Sequence, residues 1–98
     1  MVFTGDSPLT LLTGSSASLL CRVVAQPAVT AVTWYKNGAA VIRTSGRISN
    51  GTVDHPSLTI SNVVKEDEGS YECNATNRLG TSGNTTILIV RCRLMTIV

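Results

Sequence analysis

The stretch DEGSYECNAT, Asp67 to Thr76, sets Asp67, Gly69, Tyr71 and Cys73 on alternate positions, with polar Glu68, Ser70, Glu72 and Asn74 between them. A period of two marks an extended strand with one face inward. The period recurs upstream. Ala17, Leu19, Cys21 and Val23 alternate with Ser18, Leu20, Arg22 and Val24, and Val32 and Trp34 alternate with Thr33 and Tyr35. Leu58 and Ile60 alternate with Thr59 and Ser61 in the same way. Lys36-Asn37-Gly38 is a hairpin signal, because Asn and Gly tolerate positive φ. A short strand is expected over residues 39–43, a turn over 77–80, and a last strand ending near Leu88 and Val90. The only helix-like piece, residues 64–69, is too short for more than one turn. Seven or so short strands with turn signals about every 8–12 residues predict an all-β, two-sheet antiparallel sandwich.

Ninety-eight residues suit one domain. The expected division is a domain over residues 1–90 and a tail or linker over 91–98. Eight Lys and Arg against six Asp and Glu leave neither a basic stripe for phosphate nor an acidic tail, which argues against nucleic acid as a partner. The longest apolar stretch, Ile87 to Val90, is strand-sized and far short of the roughly 20 residues of a membrane helix. The opening MVFTGDSP lacks the charged-then-apolar layout of a signal peptide. No internal repeat or low-complexity segment is visible.

In a two-sheet sandwich Cys73 faces inward and can meet Cys21, inward by the same count, on the opposite sheet. A bridge closing about 50 residues would stabilise the fold by roughly 4 kcal/mol. Trp34, inward on its own strand, can lie against the sulfurs. The Tyr71 hydroxyl can reach back to the preceding corner, and Gly69 lets the chain leave that corner without steric cost. Asp67 remains, and Arg47 is its candidate bidentate partner.

These residues resemble the immunoglobulin superfamily. Cys21, Trp34, Leu58-x-Ile60, Asp67-x-Gly69-x-Tyr71-x-Cys73 and Asn77-x-x-Gly80 carry the resemblance, which covers about residues 7–90. With 51 residues between Cys21 and Cys73 there is little room for an extra C″ strand. YECNATNRLG followed by TTILIV looks like the intermediate set, or I-set. That resemblance implies a first strand divided at Pro8, with residues 9–13 pairing with the last strand. It also implies membership of cell-adhesion molecules, receptor ectodomains, matrix proteins or muscle proteins.

Candidate functional residues are of several kinds. Asn50-Gly51-Thr52, Asn74-Ala75-Thr76 and Asn84-Thr85-Thr86 are N-glycosylation sequons, three where about 1.4 are expected by chance. Asn50 also reads as a turn residue, and Asn74 should point outward from the sheet that holds Trp34. Cys92 is an odd cysteine, a candidate for an intermolecular disulfide or a free thiol in a tail. The short, aromatic-poor loops argue against loop-tip recognition, which turns attention to the sheet faces. Tyr35, Arg43 and Glu72 are expected to share one face, and Leu20 and Val24 point outward on the other. Asp54, His55 and Ser57 are too close on an extended chain to converge as a catalytic triad. No Cys/His spacing suggests a metal site, and no cofactor is expected.

The expected function is therefore a non-enzymatic protein-binding module of an extracellular, cell-surface or secreted protein. Its partners would be other proteins, a second copy among them. No small-molecule substrate is expected, and membrane attachment would come only through a parent chain. The alternatives are a structural spacer, an immune receptor domain and an intracellular muscle-type domain.

Overall fold

The computed structural model describes residues 2–4, 8–44 and 46–92. Ten strands occur among them: β1 (Val2–Thr4), β2 (Leu9–Leu12), β3 (Ala17–Leu19), β4 (Arg22–Val24), β5 (Ala31–Lys36), β6 (Ala39–Ala40), β7 (Ile48–Asn50), β8 (Leu58–Ile60), β9 (Gly69–Asn77) and β10 (Gly80–Arg91). A single 3₁₀ turn, Lys65–Asp67, occupies the place of the helix-like piece. One layer has the order β2-β10-β9-β5-β6; the other is built from β3-β8-β7 and β1-β4.

The chain divides near Pro8 as the I-set resemblance implies. β1 pairs antiparallel with β4 in one layer, whereas β2 crosses to pair parallel with β10 in the other. β3 and β4 are two halves of one interrupted strand. The ladder with β8 ends at Leu19↔Leu58. Beyond it the Cys21 N–H donates to Ser57 Oγ at 2.9 Å, so a side chain takes over where the ladder stops.

The alternation read from the sequence becomes a burial pattern. Tyr71, Cys73, Ala75 and Asn77 of β9 are buried while the residues between them are half-exposed. Leu19, Leu58, Ile60, Val63, Leu88 and Val90 complete the core around the Cys21–Cys73 disulfide, which joins the two layers. The hairpin after β5 forms at Asn37 (φ 50°) and Gly38 (φ 87°). The strand expected over residues 39–43 is shorter than that: β6 ends at Ala40, although Val41 N–H still donates to Trp34 O at 3.1 Å. Residues 93–98 of the expected tail lie outside the described residues.

Candidate interaction surfaces

The corner beneath β9 is organised by Asp67. Its carboxylate receives two parallel hydrogen bonds from Arg47, Nη1 to Oδ2 at 2.9 Å and Nη2 to Oδ1 at 3.1 Å. It also accepts the Val64 N–H at 2.8 Å. Burial alone would push the carboxyl up; the bonds from Arg47 and from the Val64 N–H outweigh it and hold the group below its ordinary range. The hydrogen bond to Asp67 in turn raises the Arg47 guanidinium. Arg47 also donates to the carbonyls of Ser61 and Asn62, each at 3.2 Å, tying the entrance of β7 to the exit of β8. The Tyr71 hydroxyl donates to Asp67 O, and burial pushes this phenol up to about 12.

Gly69 sits against the side chain of Asn37. A Cβ there would stand 3.0 Å from both amide heteroatoms, and Asn37 Oδ1 accepts the Ser70 N–H at 2.9 Å. The glycine lets the β5–β6 hairpin lean on the start of β9. Trp34 stands directly opposite Cys73 in the β5–β9 ladder, so indole and sulfur share the inner face. Its Nε1 donates to Pro56 O at 2.7 Å. Nothing in the sequence singles out Pro56 or Ser57 for these roles. A third unheralded residue is Gly51, buried at φ +73°, where a Cβ would lie 2.7 Å from Trp34 Cδ1 and 2.8 Å from Leu58 Cδ1.

The outer face of β5, β9 and β10 is built in rows. Tyr35, Glu72 and Thr85 form one, Thr33, Asn74 and Gly83 the next, and Ala31, Thr76 and Thr81 the third. Arg43 does not join Tyr35 and Glu72 there. Because β6 ends early, its guanidinium turns away and donates to Asn50 O at 2.7 Å. Asn74 lies flat on this face: its amide donates to Glu72 Oε1 at 3.2 Å, and its Oδ1 fills the space a Cβ on Gly83 would need. On the opposite layer Val24 is 72% exposed, whereas Leu20, at the interruption between β3 and β4, is half-buried.

The other sequons differ in setting. Asn50 is exposed at φ +61°, closing β7. Asn84 pairs with Cys73 in an unbroken β9–β10 register, which puts it in the inward phase at half-burial, and its sequon partner Thr86 is buried. Cys92 follows β10 directly, with an exposed thiol. His55 lies exposed in the loop between β7 and β8, where its backbone carbonyl accepts the N–H groups of Gly51 and Thr52. A cleft of about 350 Å³ opens between β6 and the Arg47–Asp67 pair, with Lys36, Val41, Ile42 and Tyr71 among its walls.

Sandwich, bridge, tryptophan and tyrosine corner coincide with a known family. The family model for the immunoglobulin I-set domain matches residues 2–90. The limbic system-associated membrane protein of Rattus norvegicus is 36% identical over 76 residues, 78% of this chain and 22% of that protein. Contactin-6 of Homo sapiens is 40% identical over 80 residues, 82% of this chain and 7% of that protein. Among solved structures, the tandem Ig repeats of Dlar superpose with a TM-score of 0.81 at 30% identity, covering 94% of this chain and 48% of that one. An Ig domain from the complex of titin M10 with obscurin-like 1 gives 0.78 at 26% identity, covering 96% of each chain. The chain belongs to the immunoglobulin I-set family. It spans only 22% or less of the length of these two curated relatives.

Proposed function

We propose that this chain is a protein-recognition module of a cell-surface or secreted adhesion or receptor protein. The observation that carries this reading is the Cys21–Cys73 bridge buried across the core. Such bridges persist in oxidising compartments, outside the cytosol. The likeness to a limbic system-associated membrane protein and to contactin-6 supports it further. The module works by presenting a rigid sandwich to another protein. Its contact residues are Tyr35 and Glu72 on one face and Leu20 and Val24 on the other, with Arg43 removed from the first set. Asn50, exposed in its turn, is the sequon proposed to carry sugar; a glycan on Asn74 would stand beside Tyr35 and Glu72 and block that face. Cys92 is proposed to pair with a second chain.

The test is binding of the chain, secreted from eukaryotic cells and displayed on beads, to cell surfaces and to beads bearing itself. Capture on cell surfaces that is weakened by Val24→Asp or Tyr35→Ala, with the unfolding midpoint retained, is the expected result. No binding to either would leave the spacer reading in its place. The resemblance to an Ig domain from the complex of titin M10 with obscurin-like 1 favours a second reading, an intracellular muscle-type domain. Reduced thiols at Cys21 and Cys73 in the native source, with all sequons empty, would establish that one instead.

A further inference from the structure

We infer that the uncovered edge of β10 pairs antiparallel with the same edge of a second copy of this chain, joining two five-stranded sheets into one. The inference rests on the reading of the chain as a protein-binding module and names its partner. β10 is twelve residues long, but β2 covers only Leu88–Arg91. From Gly80 to Thr86 its outer side has no strand partner among the described residues. The Thr13 N–H donates to Arg91 O, so the backbone groups of Arg91 turn outward. Backbone groups in a ladder alternate sides every second residue, and the β9–β10 register runs unbroken from Gly80 to Leu88. The outward-directed groups further along are therefore those of Thr81, Gly83 and Thr85.

Exposed strand edges are ordinarily blunted by charge, proline, a bulge or shortness. The outermost strands β1, β2, β3, β4, β6 and β7 span only two to four residues each. The β10 segment GTSGNTT has no charge and no proline, and it has no bulge against β9. Its sequence also selects the occupant. Thr81-Ser82-Gly83-Asn84-Thr85 reads alike in both directions from Gly83: a small polar residue, then threonine. A two-fold axis through Gly83 sets that residue opposite itself as a hydrogen-bonded pair, with no side chain from either copy to crowd the outer face at the axis. Thr81 then faces Thr85 of the copy, a favourable cross-strand pair on the exposed side. The self-complementarity of a two-fold interface is met without any like charges meeting.

Sedimentation of the chain made without N-glycans, in a Cys92→Ser background, tests this. A concentration-dependent dimer is expected, because one strand pair buries less than a tight interface does. Thr81→Lys with Thr85→Lys brings like charges together twice and should weaken the dimer about tenfold. Thr81→Lys with Thr85→Glu faces each lysine with a glutamate of the copy and should restore it. Ala31→Lys with Thr33→Lys, on the same face but away from the edge, should leave it unchanged. Matched unfolding midpoints show that the variants fold. A monomer at every concentration, or a dimer indifferent to the double lysine, would overturn the inference; binding of the module to other cell-surface proteins is decided separately by the bead experiment.

Discussion

Asp67 is the residue at which burial and charge oppose each other most directly. Its side chain is 10% exposed and that of its partner Arg47 is 30% exposed, so the pair is shielded on one side only. Removing one partner of a fully buried pair costs 3–5 kcal/mol, and exposed pairs contribute far less. Asp67→Asn should therefore lower stability by about 2–3 kcal/mol in urea unfolding. The pH dependence follows from the sign of the shift. With the folded carboxyl held below its ordinary value, the unfolded chain binds more protons near pH 4. That part of the stability is complete above the unfolded pKa and is lost as pH falls through the folded one. Urea midpoints between pH 5 and pH 2 should fall more steeply for the parent than for Asp67→Asn. Tyr71 behaves in mirror image at the alkaline end. Its phenol is raised to about 12, so the unfolded chain loses that proton first. The contribution is whole below about pH 10 and disappears as pH rises toward 12. Tyr71→Phe should flatten this alkaline loss while costing about 1 kcal/mol at neutral pH for the missing bond to Asp67 O.

At the scale of elements, the turn after β7 bears directly on the core. Gly51 holds φ +73° with Trp34 and Leu58 in the space of a Cβ. Gly51→Ala combines strained backbone with overpacking and should cost about 2–4 kcal/mol, read as a lowered unfolding midpoint and a changed Trp34 emission. The variant keeps the Asn50 sequon, so glycan mapping and stability separate the two roles of the turn. The Lys36–Gly38 hairpin and the alternation in β9 were legible because each depends on neighbours in sequence. The early end of β6 was not. It goes with Arg43 donating to the carbonyl of Asn50, a contact between segments that no local pattern announces. Ser57 was equally silent, since serine in a loop is ordinary until Cys21 comes within 2.9 Å of it.

For the whole molecule, the bridge between Cys21 and Cys73 spans a sequence separation of 52 residues and ties the two layers together. Replacing both cysteines with alanine should cost about 2–5 kcal/mol, visible as a fall in the thermal midpoint that reductant reproduces in the parent chain. The sequence by itself determined the sandwich and the inward set Cys21, Trp34, Tyr71 and Cys73, and the family resemblance it carries implied the division at Pro8. Strand period and turn chemistry are local properties, and this family repeats them at fixed spacing. Only the tertiary structure decided which side chains meet at the seams: Arg43 on Asn50, Trp34 on Pro56, Gly51 beneath the indole, Asn84 in the inward phase. It also decided that β2 pairs only with Leu88–Arg91 of the twelve-residue β10. Edges and seams depend on where one strand ends relative to another, and that offset is set by packing between distant segments rather than by any run of neighbouring residues.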